Sequence, residues 1–222
     1  MTSIFSGNPA RWPVTVYEPV DRPAGWEHRL VLRPLRRRDQ EEWFSLRHRN
    51  AGWLLPWENT DPVEAENVTH YNFATMVRSM QRTAKSGHSL PWVIAKELDD
   101  GGPTVLIGQL AVSGIFYGSL RSAAIGYWID ESHAGFGLTP RAVALAVDHC
   151  FTRLGLHRLE INIVPQNANS LRVVDKLGFR FEGTRKNYLH INGAWVDHQS
   201  FALTAEEVPA GGLWQQIARN NS

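Results

Sequence analysis

The pattern of the chain changes once along its length, and that change limits the fold more than any other feature. Three strand-like runs, Leu90 to Glu97, Val105 to Phe116 and Ala123 to Ile129, follow one another across tight turns. Asp99-Asp100-Gly101-Gly102 joins the first two, and Phe116-Tyr117-Gly118-Ser119 leads into the third. The stretch therefore reads as an antiparallel meander. Beyond Ile129, helices alternate with strands. Thr139-Pro140 starts a helix that is apolar on one face from Ala142 to Leu154 and stops at Gly155. His157 to Val164 reads as a strand, and Asn167 to Leu177 as a helix ended by Gly178. A strand–helix–strand order implies a parallel crossover. One sheet must then hold both an antiparallel meander and a parallel pair. This predicts a single mixed-sheet α/β domain with helices on its faces.

The flanks extend this core. His28 to Leu35 alternates as a first strand does. Asp39 is the expected N-cap of a helix over Gln40 to Arg49, with Trp43, Phe44 and Leu46 on one side. Trp53 to Trp57 is an apolar loop, and Asp61-Pro62 opens a long helix to about Lys85. The chain returns to strands at Arg180 to His190 and Ala194 to Leu203, around the turn Asn192-Gly193. Residues 1–27, with Pro9, Pro13, Pro19 and Pro23, read as an extended, partly mobile lead-in lying across the domain. Residues 28–204 form the domain. Residues 205–222 form a tail with a short helix from Leu213 to Arg219.

Composition excludes several classes. The 222 residues carry 23 Lys+Arg against 22 Asp+Glu, a net charge of +1, which argues against a nucleic-acid coat. The lone Cys150 excludes a disulfide framework and a cysteine-rich zinc site, and the histidines show no metal spacing, so no metal is expected. The longest apolar candidate, Val105 to Phe116, is broken by Gln109 and Ser113, so no membrane span is expected. The first residues lack a secretory pattern, so the cytoplasm is the expected compartment and the sequon at Asn67 carries no meaning. No DNA partner is expected. Arg36-Arg37-Arg38 reads as a solvated turn, or a weak ribosome contact.

Two stretches carry candidate chemistry. In Ile129 to Pro140 a strand ends, a Gly135-Phe136-Gly137 loop turns and a helix begins. Helix N-termini offer unpaired N–H groups and partial positive charge, and glycine lets an anion approach them. A phosphate or pyrophosphate is the natural guest; a bare tight turn would use the same glycines. In the strand from His157, Glu160 and Asn162 share one face and Ile161 and Ile163 the other. A carboxylate and an amide on a central strand suggest a polar cleft, unless Glu160 simply pairs with an arginine such as Arg158. Asn167 and Ser170 share a face at the next helix start, where Asn167 also suits an N-cap.

Gly135-Phe-Gly137 before an amphipathic helix, the strand to Val164, Asn167-Ala-Asn-Ser170 and Lys176-Leu-Gly178-Phe179 together resemble the GCN5-related N-acetyltransferases, the GNAT superfamily. Glu182-Gly183-Thr184-Arg185 and Asn192-Gly193-Ala-Trp-Val-Asp197-His198 are similar to its RimJ/RimL branch, which acetylates the N-termini of ribosomal proteins. The resemblance implies acetyl-CoA as co-substrate and a parallel strand pair that splays apart. It implies the pyrophosphate on the amides of Ala134, Gly135, Phe136, Gly137, Leu138 and Thr139, and the pantetheine arm along the strand ending at Ile129. Asn167 would bond that arm and Ser170 approach the thioester sulfur. Arg141 and Arg172 would meet the nucleotide phosphates. The chain departs from the family at Ser132, where Gln or Arg is common, and at Val174, where some relatives carry a proton-donating tyrosine.

Direct attack of an amine on a thioester needs a neutral amine and a stabilised oxyanion. Glu160 is the first candidate base and Ser170 a candidate acid, with Glu131 and His133 behind them. Asn162 sits where some relatives carry glutamate and is expected to contact the acceptor instead. Trp57 and Glu58 would cradle a peptide N-terminus, unless Trp53 and Trp57 merely close the core. The leading expectation is acetylation of the N-terminal amine of a ribosomal protein. The alternatives are a polyamine or aminoglycoside-type acceptor, or a non-catalytic acetyl-CoA-binding or ribosome-associated module.

Overall fold

The computed structural model describes residues 12–23, 25–63, 72–98 and 101–220. Eight strands form one sheet: β1 (Val16–Tyr17), β2 (Leu30–Pro34), β3 (Ser89–Glu97), β4 (Thr104–Phe116), β5 (Ser122–Ile129), β6 (Arg158–Ile163), β7 (Arg180–Ile191) and β8 (Ala194–Thr204). Their spatial order is β1-β2-β3-β4-β5-β6-β8-β7. Every neighbouring pair is antiparallel except β5–β6. That pair is short: Ser122, Ala123 and Ala124 face Arg158, Leu159 and Glu160, and there the pairing ends. Both strands run on, so a wedge opens between Ile125–Ile129 and Ile161–Ile163.

Helices cover both faces. On one side α1 (Gln40–Arg49), the short α2 (Ala51–Leu54) and α3 (Phe73–Lys85) bury Trp43, Leu46, Phe73 and Val77 against Val93, Ala95 and Leu106. On the other, α4 (Leu138–Thr152), α5 (Ala168–Lys176) and α6 (Leu213–Arg219) pack on the larger core. Helix α4 is apolar almost all round because it is sandwiched: Val143, Ala144, Ala146 and Val147 are fully buried between the sheet and α6. Each buried valine contributes about 1.5–3 kcal/mol by the area it removes from water.

Several sequence expectations are corrected. The long helix opening at Asp61-Pro62 begins instead at Phe73, where the Asn72 side chain accepts from the Ala74 N–H at 2.9 Å. Asp61 accepts from the Val63 N–H at 2.8 Å in a turn of its own, and residues 64–71, with the sequon at Asn67, lie outside the described residues. Asp39 does not cap α1 through its side chain; its carboxylate takes the buried Arg33 guanidinium at 2.7 and 3.2 Å. The apolar loop is helical, as α2 and a 3-10 turn over Leu55–Trp57. The lead-in does lie across the domain: among its described residues Trp12 and Glu18 are buried, and Val16–Tyr17 pairs with β2. The tail is docked likewise, with Leu213, Trp214 and Ile217 buried. Asp99 and Asp100, and residues 1–11, lie outside the described residues.

Candidate active site

The wedge places the two sequence-flagged stretches side by side. At the end of β5, Asp130 is buried, and three side chains hold its carboxylate: Arg49 at 2.7 Å, Asn50 at 2.9 Å and Ser132 at 3.0 Å. Burial alone would raise its pKa, but the hydrogen bonds outweigh it and hold the carboxyl well below the usual carboxylate range. Asn50 also accepts from the Glu131 N–H at 2.8 Å. The loop thus leaves β5 from a fixed point. Ser132 and His133 are both turned to Asp130, and burial lowers the His133 pKa.

The loop then passes Ala134, Gly135 and Phe136 and reaches Gly137, which caps α4 in the left-handed region at φ 73°. Gly135 is also left-handed, at φ 86°, and a Cβ at either glycine would project into open space. Glycine is needed for the backbone conformation. The amides of Leu138 and Thr139 open the fifteen-residue helix, so the loop presents N–H groups and the positive helix end to a concavity. That cavity, about 280 Å³, is lined by Trp26, the loop, Arg141 and Lys176. Its donor set fits a diphosphate, as the sequence suggests. Across the wedge Asn167 caps α5, its side chain accepting from the Ser170 N–H at 3.1 Å. The half-buried Tyr127 of β5 donates its hydroxyl to the Ser170 carbonyl at 3.5 Å.

Arg141 is placed differently from expectation. Its guanidinium is buried and paired with the fully buried Glu18, at 2.8 Å for the Nε–Oε1 contact and with Nη2 on Oε2. It also donates to the His28 carbonyl at 2.8 Å and lies 4.1 Å over the Trp26 ring. Its Nε and Nη2 are therefore held by the lead-in, at the edge of the cavity that the loop lines. Arg172 is exposed on α5 and bonded to Asn169.

The opposite face of the wedge is the acceptor side of the sequence reading. Glu160 and Asn162 do share it, with Ile161 and Ile163 buried behind. Yet Glu160 is not a free base. Arg158 donates to one oxygen at 3.0 Å and Arg185 to the other at 2.7 Å. Pairing with Arg158, weighed from the sequence, is what the fold builds, and Arg185 from β7 completes the clamp. Asn162 accepts from the Ser200 hydroxyl at 2.6 Å. Glu58 is paired with Arg47, whose guanidinium lies 5.3 Å over the Trp128 ring beside the wedge. Trp53 donates to the Ile129 carbonyl at 3.1 Å, while Trp57 is half-buried on the 3-10 turn. This segment is stitched to the β7–β8 turn: Asn59 pairs with Ile191, and the Asn192 N–H donates to the Glu58 carbonyl at 2.9 Å. Trp57 and Glu58 thus sit on a rim closed by the hairpin. Among the described residues no cluster of His, Cys, Asp or Glu is placed to hold a metal ion.

Sequence reasoning missed Glu18, Asp130, Tyr127, Arg47 and Arg185. Asp130 offered a signal, an acid directly after an apolar strand; Glu18 offered none.

This arrangement has known counterparts. Residues 29–180 match the family described as Acetyltransferase (GNAT) domain. RimJ from Mycobacterium smegmatis, solved in complex with CoA-disulfide, superposes with a TM-score of 0.79 at 38% identity, covering 95% of this chain and 96% of that one. The [ribosomal protein uS5]-alanine N-acetyltransferase of Escherichia coli is 29% identical over 184 residues, 82% of this chain and 91% of that protein. The spermidine N(1)-acetyltransferase of the same organism is 35% identical over 168 residues, 76% and 82% respectively. The likeness extends over most of the chain, which belongs to the GNAT family of N-acetyltransferases, in its RimJ/RimL-like branch.

Proposed function

We propose that the chain transfers the acetyl group of acetyl-CoA to the N-terminal α-amine of a protein, with a ribosomal protein as the acceptor. The observation that carries the reading is charge balance at the acceptor side. On the acceptor side of the sequence reading, Glu58 is matched by Arg47, and Glu160 by Arg158 and Arg185. A polycation such as spermidine calls for unmatched carboxylates, because each ammonium must be paired as it leaves water. A single α-amine makes no such demand. It needs a rim that takes an extended chain, and the Trp57–Glu58 segment closed by the β7–β8 turn supplies one. The uS5-alanine enzyme among the relatives supports the choice of acceptor.

The chemistry follows from the same geometry. The loop amides from Gly135 to Thr139 hold the donor's pyrophosphate, the Ala134 N–H being taken by the Glu131 carbonyl at 3.0 Å, and the β5 edge beyond Ala124, released from β6, offers main-chain N–H groups to the thioester oxygen as it gains charge. The acceptor nitrogen attacks the carbonyl carbon, the C–S bond breaks and the thiol leaves. An α-amine with a pKa near about 7.7–8.0 is substantially neutral at cellular pH, so a strong base is not required. Its proton leaves through water on the polar face of Asn162 and Ser200.

Product mass spectrometry tests this. The protein and acetyl-CoA are incubated with free peptides starting with Ala, Ser, Thr or Met, an N-blocked lysine peptide, spermidine and an aminoglycoside. Acetylation of the peptide N-termini is expected. Acetylation of spermidine or the aminoglycoside alone would replace this acceptor with a small amine.

A further inference from the structure

His198, on β8, is a buried imidazole with no part yet in the transfer. The register of the sheet fixes the side it faces. Ser200 pairs with Asn162 of β6, and its hydroxyl donates to the Asn162 side chain at 2.6 Å, so both lie on the acceptor face. Side chains alternate along a strand, so His198, two residues before Ser200, turns to that same face. Across β7 it pairs with Arg185, the residue that clamps Glu160. The Tyr188 ring meets the His198 ring edge-on, with centroids 5.6 Å apart.

The two ring nitrogens stand in different situations. Nδ1 lies 2.9 Å from the Val196 carbonyl. A carbonyl only accepts, so Nδ1 carries the proton, and the neutral ring keeps its lone pair on Nε2. Among the described residues Nε2 has no hydrogen-bond partner. Nor is it one of the unpartnered side-chain atoms sealed from solvent, which are Trp12 Nε1 and His149 Nε2. It therefore keeps an opening, and the strand register puts that opening on the acceptor side. One nitrogen is anchored and oriented by a carbonyl; the other is available to a proton. Glu160, by contrast, has arginine on both oxygens.

We propose that His198 is the base that takes the proton of the attacking amine. As the amine nitrogen bonds to the thioester carbon, its N–H bond breaks. The proton passes through water on the Asn162 and Ser200 face to Nε2. Alternate side chains on a strand stand about 7 Å apart, a gap that bridging water spans. The electron pair of the C–S bond goes to sulfur. The imidazolium then releases its proton to solvent, and solvent protonates the thiolate. The inference rests on the acetyl-transfer reading and names the proton acceptor within it.

His198→Asn keeps an N–H donor for the Val196 carbonyl and removes Nε2. With acetyl-CoA and peptide both saturating, kcat is expected to fall roughly 100-fold, the low end of what general base catalysis supplies. Thermal unfolding and CoA binding of the variant are measured alongside and should match the wild type. His198→Ala separates a base from a packing group. Imidazole added to this variant is expected to restore acetylated peptide, counted by mass spectrometry against a blank without protein. 1,2,4-Triazole has the same shape but is far less basic, and it is expected to restore little. A wild-type kcat in His198→Asn would overturn the role of His198. So would equal rescue by the two rings, which would make it a packing residue. A wild-type protein that acetylates no amine would instead overturn the transfer reading itself.

Discussion

Replacing Glu18 by alanine should be among the most damaging single changes in this protein, although Glu18 lies far from the wedge in sequence. Its carboxylate is fully buried and satisfies four donors: Arg141 Nε at 2.8 Å, Arg141 Nη2, the Leu30 N–H at 3.0 Å and the Trp214 indole N–H at 2.9 Å. Without it, the Arg141 guanidinium keeps only the His28 carbonyl and the face of Trp26. Breaking a buried pair from one side costs about 3–5 kcal/mol, against a total stability of about 5–15 kcal/mol. For a domain of this size that is a fall in Tm of roughly 6–20 °C. Urea unfolding followed by tryptophan fluorescence, with calorimetry, measures both. The double variant Glu18→Ala/Arg141→Met should recover most of the loss, because it removes the stranded charge as well. A Glu18→Ala protein within about 1 kcal/mol of wild type, or a double variant no better than the single, would refute the reasoning.

Three further outcomes are expected. Gly137→Ala forces a Cβ onto a left-handed residue at φ 73°; it should cost about 1–2 kcal/mol and raise the KM for acetyl-CoA, and unchanged values of both would show that the cap does not need glycine. Glu160→Gln should lower the rate by the same factor at every pH, because it loosens Arg158 and Arg185; recovery of activity at high pH would reinstate Glu160 as the base. Burial, helped by Arg153, pushes the His149 pKa down to about 4. The unfolded chain takes its proton first, near about pH 6.5, so stability present above that pH is lost, by about 3 kcal/mol, as pH falls toward 4. His149→Leu should flatten urea stability across this window, and an unaltered slope would show that His149 does not carry it.

Most of the fold was legible because its elements carry local signals. The strands of the meander alternate or run apolar between glycine turns, and Gly155 and Gly178 mark the helix ends, both with positive φ. The glycine turn into α4 was legible for the same reason: a left-handed glycine before a helix is a local requirement. What failed was set by partners that the local pattern does not name, near or far in the chain. Asp39 looks like a cap, but Arg33 claims it in three dimensions. Arg141 follows the glycine loop by only a few residues and looks like a phosphate ligand; its partner, Glu18, lies 123 positions away. The clamp on Glu160 was only half legible, because its second guanidinium, Arg185, comes from β7, which the folded sheet places beyond β8.

The rim across the wedge has a consequence for how such an enzyme changes over time. On the proposed function, the donor apparatus is drawn from one continuous stretch, from β5 through the first turn of α5, and the acceptor meets the rim. The rim joins Asn59 and Thr60 to Ile191 and His190, two surface segments far apart in the chain. Mutation can therefore reshape the rim while leaving the nucleotide end intact. A lineage built this way can trade one amine for another by altering two turns, and still draw on the same pool of activated acetyl groups.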